Sequence, residues 1–244
     1  MKKILAVTIT GILSAGAIAH ADDNINLSEL LHGKFSGNFG AVSDYKFRGI
    51  SQTMQAPAAQ GNIDFLHENG VKIGFAGSNV DFGGTSDATL EGDVYTSYNK
   101  SFDKLSTEIG LIYYSYPGAK SHNNYNYTEF YENLGYDFGK AQVGVSFNYS
   151  PEFFADSGSA YYPRFTVTVP LPKNFALDGW IGHQWVENNI KYGVPDYTDY
   201  QIGLSYKIDG FTIKASYVDT NLNHNQCASD LCAGEGVISI SKAF

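Results

Sequence analysis

The chain offers few residues grouped for chemistry. Cys227 and Cys232 stand with four residues between them in a polar stretch near the C-terminus. In an exported chain an even cysteine count favours a disulfide between them. Zinc is the rival reading, with His224 three residues upstream of Cys227, but it lacks a fourth ligand and the compartment is wrong for it. A second candidate is His183, between Ile181 and Trp185 on an apolar face, where a base acting on lipid could sit. No Ser stands at a matching spacing and no G-x-S-x-G elbow occurs, so the nucleophile is missing. The remaining chemistry is charge that recurs on alternate residues. Asp44, Lys46 and Arg48 share one parity, as do Asp64, Lys72, Glu91, Asp93, Glu108, Arg164, Asp178, Asp199 and Lys214 within their own segments. Seven acids and five bases on polar alternates describe a wall of mixed sign rather than a catalytic cluster.

The elements that carry these residues are read from periodicity. Apolar alternates are clearest at Val71, Ile73 and Phe75, at Val143, Val145, Phe147 and Tyr149, and at Phe211, Ile213, Ala215 and Tyr217. Each such run is a strand with one apolar and one small or polar face. Tight turns rich in Gly, Asn, Asp and Pro occur at 68–70, 103–104, 139–140, 172–174 and 209–210. Between them lie longer polar loops at 52–58, 83–89, 117–126, 151–160, 188–196 and 220–236. This strict alternation of short and long connections predicts twelve antiparallel strands with both termini on the short-turn side. That is the pattern of an all-β, up-and-down transmembrane barrel of the outer-membrane type.

The ends of the chain fit the same reading. Met1-Lys2-Lys3, an apolar run to Ala19 and the Ala19-His20-Ala21 site predict a cleaved secretory signal over residues 1–21. A short periplasmic segment is expected over 22–34, and a single barrel domain over 35–244. Nothing beyond the leader approaches the 18 or more apolar residues of a spanning helix. The C-terminal run Val237-Ile238-Ser239-Ile240-Ser241-Lys242-Ala243-Phe244 resembles the signal read by the outer-membrane assembly machinery, which makes Phe244 the expected recognition residue. Lys242 falls on its apolar face and must snorkel to an interface.

Composition narrows the partners. Of 244 residues, 18 are Tyr and 16 Phe, and only 17% are charged. The net charge is −9, and removing the leader takes away Lys2 and Lys3 but no acid. That sign excludes a phosphate-backbone binder, so nucleic acid is not expected. Rings near strand ends (Tyr113, Tyr114, Tyr116, Phe153, Phe154, Tyr161, Tyr162, Trp185 and Tyr197) are expected in interfacial girdles against membrane lipid. One segment resists assignment. At 127–137, Glu132 shares a face with Phe130, Leu134 and Tyr136, so it either lies near an interface or marks a bulge.

The opening segment Ser43-Asp44-Tyr45-Lys46-Phe47-Arg48-Gly49-Ile50-Ser51-Gln52-Thr53, followed by Pro57-Ala58-Ala59-Gln60-Gly61, resembles the TorF-type porin family. Tyr197-Thr198-Asp199-Tyr200-Gln201-Ile202-Gly203 and Tyr217-Val218-Asp219-Thr220 are similar to the same family. The resemblance implies a Gram-negative outer-membrane barrel and supplies no catalytic residues. The expected function is therefore passive diffusion of small hydrophilic solutes or ions, with no cofactor, no enzymatic step and a modest preference for cations. The alternatives are a plugged or structural barrel, or a lipid-modifying one.

Overall fold

The computed structural model describes residues 27–84, 86–227 and 230–244. The expected leader and the first residues after it lie outside the described residues. A short helix α1 (Leu27–Leu30) leads into fourteen strands. They are β1 (Gly33–Val42), β2 (Lys46–Phe47), β3 (Ile50–Ser51), β4 (Ala58–His67), β5 (Val71–Asn79), β6 (Leu90–Phe102) and β7 (Leu105–Ser115). They continue as β8 (Tyr127–Asp137), β9 (Gln142–Ser150), β10 (Ala160–Pro170), β11 (Phe175–Val186), β12 (Tyr197–Ile208), β13 (Phe211–Thr220) and β14 (Glu235–Ala243), with a helical turn α2 (Asn189–Tyr192) between β11 and β12.

Twelve of these strands form one closed antiparallel barrel in sequence order, and β2 with β3 form a separate two-stranded hairpin. Closure is made where β1 pairs with β14, Asn38 opposite Ala243 and Val42 opposite Ser239. Two further bonds, Gly37 N–H to the Phe244 carbonyl and Phe244 N–H to the Gly37 carbonyl, both 3.0 Å, extend the seam to the last residue. Each barrel strand is hydrogen-bonded to a neighbour on both sides, so the ring leaves no free edge strand. No helix among the described residues is long and apolar enough to cross a membrane, so any crossing falls to the strands.

The turns explain themselves locally. At Asp209-Gly210 both residues have positive φ, 50° and 80°. This is the twist that a two-residue hairpin loop requires and that Gly accepts without strain. All five tight turns lie at the end of the barrel that carries the termini, and the long loops lie at the other.

Burial is inverted relative to a soluble sandwich. Ile73, Phe75, Ile202 and Ile238 are 47%, 55%, 57% and 63% exposed on the outside, whereas Asp64, Glu129 and Asp199 are 4%, 1% and 0% exposed within. Water would penalise that outer surface; hydrocarbon would not. Glu132 belongs to the outside. The register Ile109–Glu132–Phe147 runs unbroken through β7, β8 and β9, so no bulge switches its parity and the carboxylate projects outward among apolar neighbours.

The expected girdle divides. Tyr113, Tyr161 and Trp185 do project outward, 44%, 41% and 45% exposed. Tyr114, Tyr116, Phe153, Tyr162 and Tyr197 are instead buried inside, and Phe154 packs against that internal cluster. Consecutive rings on one strand must point to opposite faces, so only half of each pair could have met lipid.

Candidate functional site

The functional geometry is set by a loop that turns inward. Sequence alternation extends the first strand to about Ser51, but β1 ends at Val42 and residues 43–57 leave the wall. Asp44, Lys46 and Arg48 are therefore not wall residues of the first strand. Asp44 lies on the approach to the hairpin β2–β3, which carries Lys46 and Arg48 and whose two-residue tip, Arg48 and Gly49, has φ of 48° and 81°. A Cβ on Gly49 would stand 2.5 Å from Thr220 Cγ2 and 2.9 Å from Asp199 Cβ, so only glycine lets the tip close against β12 and β13.

The base of the hairpin is tied by its own polar groups. Asp44 accepts from Ser51 Oγ at 2.6 Å and Thr53 Oγ1 at 2.9 Å. Lys46 pairs with Asp44 at 2.9 Å and Glu235 at 3.0 Å. The last loop covers it: Ser51 N–H donates to the Leu231 carbonyl at 2.9 Å, and Thr220 Oγ1 donates to the Cys232 carbonyl at 2.9 Å. Cys227 and Cys232 are joined in the expected disulfide within that loop. The sulfurs are thus unavailable as thiolates for zinc, and His224 instead pairs with Asp230. Among the described residues no group of three or more His, Cys, Asp or Glu is placed to hold a metal ion.

Arg48 reaches across to β8 and β11. Its guanidinium donates to Glu129 Oε1 and Oε2 at 2.8 and 2.7 Å and to Gln184 Oε1 at 2.6 Å. It lies over the rings of Tyr162 at 4.3 Å and Phe47 at 4.7 Å. Nη2 spans both carboxylate oxygens while Nη1 is held by Gln184, and this charge-assisted, desolvated contact with rings on the cation makes a strong polar clasp. Phe47 meets Tyr114 edge-on, Tyr114 stacks on Tyr127, and Tyr127 meets Phe153, so rings fill the space around the clasp. The long-loop end of the lumen is thereby narrowed by the hairpin and a packed aromatic cluster.

Toward the short-turn end the wall carries two ladders. On one side Lys72 pairs with Glu108 at 2.6 Å, supported by Ser97 Oγ at 2.8 Å, while Tyr95 donates to Asp64 at 2.6 Å. On the other, Lys214 pairs with Asp178 at 2.6 Å; nearer the long loops, where the hairpin tip meets β12, Tyr162 and Trp180 donate to Asp199 at 2.8 and 2.9 Å. Arg164 lies against the Trp180 ring at 5.7 Å. Glu91 accepts from Tyr45 at 2.7 Å, and Asp93 lies beside it, two residues along β6.

Of the expected charged residues, Asp44, Asp64, Lys72, Glu91, Asp93, Glu108 and Asp199 are buried, and Asp44, Lys46 and Arg48 come from the inturned segment rather than from the wall. Sequence reasoning missed Glu129, Gln184 and Glu235 as partners of the hairpin. Glu129 was legible as the polar alternate of β8, and Gln184 shares parity with Asp178; Glu235 was hidden in what reads as loop.

A recess of about 210 Å³ remains between the hairpin and β14, β1, β4, β5 and β6, floored by small residues such as Gly40, Ala76, Ser78 and Ser239. On the outer surface His183 faces away from the lumen, its Nδ1 2.8 Å from Thr198 Oγ1 and its ring 4.2 Å from Trp185. Above the barrel, Glu187 accepts from the Ser159 N–H and Oγ, both at 2.9 Å. These bonds hold its carboxyl below the usual carboxylate range.

Residues 32–244 match the Gcw_chp family, described as a bacterial protein of unknown function. No curated protein matches the sequence. Solved structures that share the fold include three proteins of the outer membrane. The KdgM porin in complex with disordered oligogalacturonate is 12% identical with a TM-score of 0.59, over 86% of this chain and 99% of that one. The NanC porin is 13% identical with a TM-score of 0.56, over 86% and 99%. The COG4313 outer membrane channel from Pseudomonas putida F1 is 9% identical with a TM-score of 0.51, over 87% and 96%.

Proposed function

Because the chain belongs to the Gcw_chp family of bacterial proteins of unknown function and folds as a twelve-stranded barrel, we propose that it is an outer-membrane channel for passive diffusion of small hydrophilic solutes or ions. The observation that carries this reading is the inverted burial: an apolar exterior around an interior of ion-paired walls with an unfilled recess. The fold shared with outer-membrane porins and a channel supports the location, as does the TorF-type resemblance of residues 43–53. Residues 1–21 act as the export signal, and the terminal Phe244 presents the last strand to the assembly machinery. The short-turn end then faces the periplasm and the long loops face outward.

The hairpin makes this a constricted channel. Solutes pass beside it, along the thinly furnished wall of β14, β1, β4 and β5. Acids outnumber bases inside, and Lys46, Arg48, Lys72 and Lys214 are each already engaged by a carboxylate. Field lines from the remaining acids favour cations in a low-dielectric passage. Transport rather than lipid chemistry is the reading for His183: a catalytic base is oriented by a carboxylate on its imidazole, whereas the hydrogen-bond partner of this ring among the described residues is the Thr198 hydroxyl.

Liposome swelling tests the proposal. Refolded protein in liposomes should admit small neutral polyols and exclude sugars too large for the recess. Swelling no faster than in empty liposomes, with insertion verified, would remove the channel reading.

A further inference from the structure

We propose that the recess beside the hairpin is a binding site for a small aliphatic ammonium ion, with Asp93 as the residue that sets its specificity. The inference deepens the channel reading and rests on it for the ligand's access to the lumen.

The recess carries two carboxylates and no cationic side chain, and the amide and hydroxyl donors of Tyr45, Gln60 and Asn62 are spent on Glu91, Ser78 and Asp64. Glu91 and Asp93 line it together with Asn38 and Asn62, and none of its lining side chains is basic. Asp93 is only 8% exposed, and its Oδ1 is buried with no hydrogen-bond partner. The Asn38 Oδ1 is buried and unpartnered as well. Buried polar atoms are almost always satisfied, and a buried carboxylate oxygen left alone is among the costliest exceptions. What completes both is a ligand that brings N–H donors and positive charge. Glu91 is held in place for the same ligand by the Tyr45 hydroxyl, so the hairpin that narrows the lumen also builds one side of the site.

Shape sets the class. Asn38, Asn62, Ala76 and Asp93 follow one another across β1, β4, β5 and β6 in a single register row. Neighbouring strands stand about 4.8 Å apart, which puts the ends of the row roughly 14 Å apart along the curved wall. Between them Ala76 offers only a methyl group and Gly40 no side chain, leaving a low floor on which a short alkyl chain can lie. One ammonium end meets Asp93 and Glu91, and a polar far end meets the asparagines. A volume of about 210 Å³ admits a few heavy atoms and falls below the range of about 300–1,000 Å³ typical of drug-sized ligands. A bare divalent metal is a poor occupant: the acceptors are strung along a row roughly 14 Å long instead of gathered at about 2.3–2.6 Å around one point, and no metal-holding group occurs among the described residues.

The experiment is calorimetric titration of the refolded barrel in detergent with 1,4-diaminobutane, and with neutral 1,4-butanediol as the matched control. The wild-type protein should bind the diamine and not the diol. Asp93→Asn should weaken diamine binding by roughly ten- to hundredfold, the loss of one charge-assisted hydrogen bond. Ala76→Leu, which fills the floor without touching charge, should also abolish it, and Glu132→Gln, which removes an acid from the outer surface, should leave it unchanged. Diamine heats indistinguishable from the detergent blank, or an Asp93→Asn protein that binds like wild type, would overturn the proposal. The titration is independent of conduction. Binding in a barrel that passes no current would sustain the site and sink the channel; current without binding would do the reverse.

Discussion

Replacing Arg48 with Ala tests whether the hairpin is clasped across the lumen. The substitution removes three hydrogen bonds, two to Glu129 and one to Gln184. It leaves the Glu129 carboxylate, 1% exposed, with Asn148 Nδ2 at 3.0 Å as its remaining side-chain donor. Breaking one partner out of a buried pair costs about 3 to 5 kcal/mol, because the other charge is left desolvated. The protein can escape that cost only by releasing the hairpin and admitting water. At about 1.4 kcal/mol per power of ten, even the lower figure moves the ratio of docked to released hairpin by about a hundredfold. Single-channel recording should show larger openings and frequent transitions where the wild type is quiet. Arg48→Ala combined with Glu129→Ala removes the stranded charge, so the double variant should flicker less than the sum of the single changes requires. An Arg48→Ala channel with wild-type conductance, noise and selectivity would refute the clasp.

Other expectations follow from single contacts. Opening the Cys227–Cys232 bond with reductant should loosen the cover over the hairpin by about 2 kcal/mol, as expected for so short a loop, and should be read as faster proteolysis of residues 221–234. Glu132 faces outward amid Phe130, Leu134, Ile109 and Phe147, so Glu132→Leu should stabilise the lipid-embedded barrel in urea titration; a loss of stability would mean that the carboxylate has a partner there. Because Glu187 has a depressed pKa in the folded loop, its bonds to Ser159 contribute fully above the unfolded carboxylate range. They are lost as pH falls through the lower folded value, and the Ser159 amide resonance should report that change while staying constant through neutral pH.

The barrel was legible because two independent signals agree. Period-two alternation gives the strands, and the turn chemistry at places such as Asp209-Gly210 sets their register and count. The hairpin was not legible as such, because Asp44, Lys46 and Arg48 continue the alternation of β1 with no break in pattern. Its local mark is the Arg48-Gly49 pair: a two-residue tip that needs positive φ, and a glycine that must lie against Thr220 and Asp199, a contact between residues far apart in sequence. Ring pairs such as Tyr113-Tyr114 and Tyr161-Tyr162 carry a parity that assigns one ring to each face, and density near strand ends obscures it. Glu132 shows the limit of composition: its outward parity is plain in the sequence, and only the unbroken ladder through β8 excludes a bulge.

The most direct test of the account is the reversal potential of the refolded chain from residue 22 onward in a planar bilayer under a potassium chloride gradient, with insertion confirmed by heat-shifted gel mobility. The account predicts small stepwise openings and a reversal potential displaced toward the potassium equilibrium value. An inserted barrel that passes no current would contradict the channel, and a displacement toward the chloride value would contradict the acidic passage beside the hairpin.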